Sequence, residues 1–188
     1  MLTDQDTILD TPRLILRHWT ESDAEDLYLL ASDPLVGPGA GWRPHESLAF
    51  SRTVLRTVYL SRPVFAMVPK KGVIAGACKN APIGNISLTL GPMLTRDIAE
   101  GEAELGYWIG TAYRRMGLTE EAVREVIRYA FEDLNIRRLI CSSFEDNTPS
   151  LSMIGKLGFH YLRTVHDIYN PMLGEVKSHK VFYLDRAQ

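Results

Sequence analysis

The residues best suited to chemistry lie just past the middle of the chain. Glu104-Leu105-Gly106-Tyr107-Trp108-Ile109 leads into a turn at Gly110-Thr111-Ala112, followed by Tyr113-Arg114-Arg115-Met116-Gly117-Leu118-Thr119 and an amphipathic run. A strand that feeds a glycine-containing turn at a helix N-terminus leaves several backbone N–H groups unpaired and aimed at one point. Together with the positive end of the helix dipole, those donors make an anion site. Arg114 and Arg115 add charge that could pair with a diphosphate. The stretch lacks the lysine and spacing of a nucleotide P-loop, and it is not a three-glycine dinucleotide fingerprint. A single glycine is a weak phosphate signal. From this stretch alone a second reading therefore stays open, in which both arginines are solvated and Gly117 merely turns the chain.

The elements that must position this stretch can be read from periodicity. In Glu120 to Leu134, Ala122, Val126, Ala130 and Leu134 form one i,i+4 row and Val123, Ile127 and Phe131 the next, making one apolar stripe of a helix. Strands are predicted at Leu14–Leu16, Val64–Val68, Ile83–Leu90, Ala103–Ile109, Arg138–Phe144, Phe159–Val165 and Val181–Leu184. A helix should open at Thr20, a plausible N-cap with Asp23 in the first turn and Ala24, Leu27, Tyr28, Leu30 and Ala31 on its apolar face. Another is expected from Glu46 to Leu60 with Leu48, Val54, Leu55 and Val58 inward, and a short one from Pro149 to Leu157, stopped by Gly158. Residues 34–45, rich in proline and glycine, read as a loop, as does Gly91–Gly101; Val73–Asn80 has no clear pattern. The order is mixed: a meander in the middle, then a strand–helix–strand crossover.

Composition narrows the function classes. The 188 residues, 45% of them hydrophobic, suffice for one domain over 1–188 that buries roughly 70% of its unfolded surface. A net charge of −2 with scattered basic residues points to neither nucleic acid nor an anionic membrane. Cys78 and Cys141 form no disulfide framework, and neither they nor His160, His166 and His179 have metal-ligand spacing, which fits a metal-free protein of the reducing cytoplasm. Cys141, mid-strand and without a nearby histidine, reads as core rather than as a nucleophile. Met1–Asp6 lacks the features of a signal peptide, no apolar run approaches about 18 residues, and no G-x-S-x-G elbow is present.

Arg114-x-x-Gly117-x-Thr119 resembles the Q/R-x-x-G-x-G/A acetyl-CoA signature of the GNAT superfamily of N-acetyltransferases. The surrounding text is similar to its RimJ/RimL-like branch, which acetylates protein N-termini and small amines. Four further stretches match in the family's order: Thr11-Pro12-Arg13-Leu14-Ile15-Leu16-Arg17, Ile83-Gly84-Asn85-Ile86-Ser87-Leu88, Ala103-Glu104-Leu105-Gly106-Tyr107-Trp108-Ile109, and Asn147-x-x-Ser150 ahead of Lys156-Leu157-Gly158-Phe159. The resemblance implies an α+β GNAT-like fold: a mixed, mostly antiparallel twisted sheet of about seven strands, helices on both faces, and a splay between two central parallel strands. It implies acetyl-CoA as co-substrate, with the pantetheine arm between Tyr107-Trp108-Ile109 and Ile140-Cys141-Ser142. The diphosphate would take backbone N–H bonds from Arg114, Arg115, Met116, Gly117, Leu118 and Thr119, and Asn147 would bond the pantetheine amides. Thr119 departs from the family's Gly or Ala; its hydroxyl could bond a phosphate oxygen or cap the helix.

The same resemblance implies direct attack of an amine on the thioester, with a backbone N–H near Trp108 or Ile109 polarising the carbonyl. Neutralising an α-amine of pKa about 7.7–8.0 at pH 7 costs about 1 kcal/mol, whereas a lysine of pKa about 10.4 costs roughly 4.6 kcal/mol, so a sparsely furnished base site favours low-pKa amines. Glu104 is the best base candidate, acting through water, with a solvated strand-end carboxylate as the alternative reading. Glu102, on the same strand face, is a weaker competitor, and Glu100 reads as loop surface. Many superfamily members place a tyrosine acid seven residues after the asparagine; Ile154 stands there instead. Ser150 matches the serine of the RimJ/RimL-like branch and could protonate the thiolate or simply cap the short helix. Trp42 and Tyr59 fall where the family builds its acceptor pocket, although aromatic core is the simpler account. The acceptor could be a protein N-terminus or a small molecule, and the family often dimerises. The rival class is a coenzyme-A-binding sensor or partner-binding module on the same fold, motivated by Ile154 and Thr119.

Overall fold

The computed structural model describes residues 7–60, 64–74, 80–89 and 99–187. Met1–Asp6, Cys78, most of the unpatterned Val73–Asn80 and most of the Gly91–Gly101 loop lie outside the described residues. Eight strands form one mixed sheet: β1 (Leu9–Asp10), β2 (Leu14–His18), β3 (Val64–Pro69), β4 (Gly84–Thr89), β5 (Glu102–Ile109), β6 (Arg138–Phe144), β7 (His160–Asn170) and β8 (Glu175–Asp185), in the order β1-β2-β3-β4-β5-β6-β8-β7. β5 and β6 pair in parallel, while β1–β2, β2–β3, β3–β4, β6–β8 and β7–β8 are antiparallel. The helices are α1 (Ala24–Ala31), α2 (Gly37–Ala40), α3 (Leu48–Val54), α4 (Leu118–Glu132) and α5 (Thr148–Lys156). Among the described residues no helix is long and apolar enough to cross a membrane.

The chain divides into two compact units, Met1–Ser87 with Tyr107–Val126 and Leu88–Gly106 with Ile127–Gln188. In the first, β3 is buried along its whole length, so its Val-Phe-Ala-Met-Val run needs no alternation. Trp19, Leu27, Ala31, Val36, Leu55, Tyr59, Val64, Ala66 and Trp108 form one apolar cluster there. Thr20 opens a 3-10 turn, Glu21–Asp23, that runs directly into α1: the Asp23 carboxylate accepts from the Thr20 N–H at 2.8 Å and from its hydroxyl at 2.9 Å. In the second unit the buried set includes Leu105, Leu139, Cys141, Ile154, Phe159 and Val181.

Four details go beyond the sequence expectations. The sheet has eight strands, because the two-residue β1, with Leu9 opposite Leu16, is too short to show a period. Residues 34–45 are not all loop, since Gly37–Ala40 makes a single helical turn closed by left-handed Gly41. At Gly37 an added Cβ would stand 2.4 Å from the Trp42 ring, so only glycine admits that packing. The helix expected over 46–60 is α3, capped by Ser47 accepting from the Phe50 N–H at 3.1 Å, and it widens over Leu55–Tyr59 into a π turn with the Leu60 N–H on Leu55 O. Finally, β7 and β8 run eleven residues each. Their outer halves escaped detection because polar side chains occupy both faces and the register shifts between Val165 and Ile168, beside left-handed Asp167.

Candidate functional site

In the first unit the anion loop is built by a tight sequence of turns. The Gly110 N–H donates to Ile83 O at 2.9 Å, Thr111–Tyr113 make a 3-10 turn, and the Arg114 N–H closes on Thr111 O at 3.3 Å. Beyond it Arg115 and Gly117 both adopt left-handed φ, at 62° and 73°. Left-handed residues in alternation with right-handed or extended ones turn successive N–H groups toward one side, the geometry of an anion nest. Arg115 holds such a φ without glycine's freedom, which concentrates backbone strain at this turn. α4 starts directly after, its first intrahelical bond running from the Glu121 N–H to Gly117 O at 3.1 Å. The helix itself therefore leaves over the N–H groups of Leu118, Thr119 and Glu120.

This geometry changes two assignments made on sequence. Gly117, not Thr119, stands at the helix boundary, so Thr119 sits inside the first turn and does not cap it. Arg114 spends its N–H on Thr111 and its guanidinium on Leu35 O, at 2.6 Å, so its N–H is not among the donors left open at this turn. Thr111 in turn donates its hydroxyl to Asp33, so the loop is pinned to the segment that precedes α2.

The aromatic candidates belong to the same unit. Tyr59 is buried, its hydroxyl accepts from Trp108 Nε1 at 3.2 Å, and burial pushes its pKa up to about 12. A phenol so placed stays protonated at neutral pH, and its ring lies 5.2 Å from Trp19. The structure thus makes Tyr59 a core residue. Trp42, half-buried, meets Trp108 edge-on at 5.9 Å and lies tilted against the His45 ring at 5.2 Å. Asn85 Oδ1 accepts from Trp19 Nε1 at 2.9 Å, so the indoles of Trp19 and Trp108 both have a partner for their polar edge. Gly84 lets β4 approach the end of β5 closely: a Cβ there would lie 2.6 Å from Trp108 O.

In the second unit the carboxylate candidates separate clearly. Glu104 is only 6% exposed, and Ser142 Oγ donates to its Oε1 at 2.8 Å. Parallel register sets Glu104 opposite Ile140, so Ser142, two residues on, shares its face. Glu102 instead lies half-buried opposite Arg138 and accepts from the Ala99 N–H at 3.3 Å. Glu100 is exposed, and its carbonyl accepts from Arg137. The recorded register joins Glu102–Leu105 to Arg138–Cys141, while β5 runs on to Ile109 and β6 to Phe144.

At the start of α5, Asn147 Oδ1 accepts from the Ser150 N–H at 3.3 Å. Asn147 is therefore the N-cap, and the Ser150 hydroxyl is not needed for that purpose. Ile154 is fully buried, so no acid side chain stands at that position. Cys141 is buried between its strand partners Leu105 and Phe182, consistent with core packing. Among the described residues no group of three or more His, Cys, Asp and Glu could hold a metal ion. The sequence placed Ser142 only on the strand expected to flank the pantetheine arm and did not link it to Glu104, because only the register of the parallel pair brings the two together.

Comparison with known proteins identifies the family. Residues 13–160 match the family described as acetyltransferase (GNAT) domain. The chain is 28% identical over 152 residues to the uncharacterized N-acetyltransferase YoaA of Bacillus subtilis, covering 81% of this chain and 82% of that one. It is 27% identical over 157 residues to an uncharacterized N-acetyltransferase of Bacillus licheniformis, covering 80% and 81%. Among solved structures, a GNAT-family acetyltransferase from Bacillus anthracis superposes with a TM-score of 0.78 at 17% identity, over 95% of this chain and 98% of that one. A ribosomal-protein-S5-alanine acetyltransferase from Vibrio fischeri superposes with a TM-score of 0.72 at 20% identity, over 96% and 97%. These two likenesses concern the fold.

Proposed function

Because the chain belongs to the GNAT acetyltransferase family, we propose that it transfers an acetyl group from acetyl-CoA to a primary amine by direct attack on the thioester. The observation that carries this reading is the left-handed pair Arg115 and Gly117 at the mouth of the fifteen-residue helix α4. Donors from Arg115 to Thr119, with the helix dipole behind them, suit a diphosphate and have no other evident use. The backbone of Tyr107, Trp108 and Ile109 would hold the pantetheine arm, and an N–H near Trp108 would polarise the thioester carbonyl.

Glu104 takes the amine's proton. Its burial and its bond from Ser142 hold the carboxylate in one orientation on the β5 face. The neutral amine nitrogen then forms the new C–N bond, the C–S bond breaks, and Ser150 supplies a proton to the departing thiolate, while the nitrogen loses its second proton to solvent, which restores the Ser150 hydroxyl. With a single carboxylate as base, the site suits amines of low pKa, such as a protein N-terminus or a small-molecule amine. The ribosomal-protein acetyltransferase among the structural neighbours is compatible with a protein N-terminus. A homodimer in the cytoplasm is the expected setting.

The test is thiol release from acetyl-CoA with a panel of peptides, free amino acids, polyamines and aminoglycosides. Release that depends on one acceptor class and is lost in Glu104→Gln supports the reading. The fully buried Ile154, where a tyrosine acid would serve, favours a second possibility, a coenzyme-A-binding module without turnover. Tight binding of coenzyme A with no release on any amine would establish that second possibility instead.

A further inference from the structure

Arg13, at the head of the segment that leads into β2, reaches the anion loop from more than a hundred residues away in sequence. Its Nη1 donates to Met116 O at 2.8 Å, and Met116 is the residue between left-handed Arg115 and Gly117. Its Nε donates to Glu121 Oε2 at 2.6 Å, in the first turn of α4. Its Nη2 stands 3.4 Å from where a Cβ on Gly117 would be. The other carboxylate oxygen, Glu121 Oε1, accepts from the Arg13 N–H at 2.7 Å and from the Thr11 hydroxyl at 2.6 Å. Burial alone would raise the Glu121 pKa, but the bonds from Thr11 and Arg13 outweigh it and hold the carboxyl below its ordinary value. One guanidinium, aimed by a carboxylate that stays charged, thus grips the carbonyl at the centre of the turn.

A trans peptide points its C=O and the following N–H in opposite directions. The bond to Met116 O therefore turns the Gly117 N–H away from Arg13. It also fixes the plane of the Met116–Gly117 peptide, on the N-terminal side of left-handed Gly117, which a free loop would let rotate. We infer that Arg13 is a positioning residue for the acyl donor's diphosphate: it sets the direction of the Gly117 donor and the spacing of the loop against α4. This inference rests on the acetyl-CoA reading of the loop given above.

The test compares two acyl donors. Acetyl-CoA carries the diphosphate, whereas S-acetylpantetheine offers the same thioester without it. For Arg13→Met, which keeps the apolar stem, KM for acetyl-CoA should rise about tenfold or more with kcat nearly unchanged, as expected on losing charge-assisted hydrogen bonds. The kcat/KM for S-acetylpantetheine should equal that of the wild type. Arg13→Lys, able to restore a single bond, should recover part of the loss. Glu121→Gln, which keeps an acceptor for Thr11 but no longer orients the guanidinium, should show the same donor selectivity more weakly. An unchanged KM for acetyl-CoA would overturn the inference, and so would equal losses on both donors, which mark a general structural role. Failure of the wild-type chain to bind acetyl-CoA at all would instead overturn the acetyltransferase reading beneath it.

Discussion

Glu104→Gln is the most informative single change, because it removes charge while keeping shape. The side chain is 6% exposed and its Oε1 accepts from Ser142 at 2.8 Å, a bond the glutamine oxygen can also accept. The fold should therefore survive, and thermal unfolding should move little. General-base catalysis contributes typically about 10²- to 10⁴-fold, so kcat/KM at pH 7 should fall at least about a hundredfold. The amine's own pKa makes the claim sharper. Solution deprotonation at pH 7 costs about 1 kcal/mol for an α-amine and roughly 4.6 kcal/mol for a lysine amine. Raising the pH from 7 to 9.5 supplies the free α-amine from solvent, so the mutant's deficit on a peptide N-terminus should shrink about tenfold across that range. Parallel pH–rate profiles of wild type and mutant, with one peptide acceptor, would reveal this convergence. A deficit of less than about threefold at pH 7, or one that stays constant to pH 9.5, would refute Glu104 as the base.

Other outcomes follow from the same geometry. Ser142→Ala removes the donor to Glu104; kcat should fall by about three- to tenfold, the equivalent of one ordinary hydrogen bond, while coenzyme A affinity measured by calorimetry stays the same. Gly117→Ala forces a Cβ onto a φ of 73° beside Arg13, so a penalty of about 1–2 kcal/mol in thermal unfolding and a raised KM for acetyl-CoA are expected. Burial would raise the Asp23 carboxyl, but the Arg17 pair at 2.8 Å and the Thr20 bonds outweigh it and hold its pKa below the ordinary value. Its contribution is therefore present above the unfolded pKa of about 3.9 and is lost as pH falls through the folded value. Asp23→Asn should cost about 1.5–3 kcal/mol at pH 7, with the difference from wild type closing in acid, as read from urea unfolding at several pH values.

The parts of this molecule legible in its sequence are those governed by neighbours along the chain. The period of Val123, Val126 and Ala130 announced α4, the Thr20 and Asp23 pairing announced α1, and the glycine after Lys156-Leu157 announced the end of α5. Each depends on contacts within about one helical turn. The loop from Tyr113 to Thr119 was legible for the same reason, since a turn and a helix start are local events. The helix boundary at Leu118 shifted by two residues because Gly117, with its left-handed φ, ends the turn earlier than the apolar pattern suggested. The outer halves of β7 and β8 left no period to read, because neither face there is continuously buried.

Taken alone, the order of residues determined the types of the longer elements, the motif at the head of α4, and the candidacy of Glu104 as a carboxylate on a strand. Only the tertiary structure decided which side chains meet. Ser142 reaches Glu104 through the register of a parallel pair, a spacing of 38 residues that no local pattern encodes. Arg13 reaches Met116 and Glu121 across more than a hundred residues, and Arg114 turns to Leu35 instead of outward. The physical reason is that backbone preference and amphipathic period act over a few residues, whereas a hydrogen bond between side chains depends on where the packed sheet and helices carry their atoms.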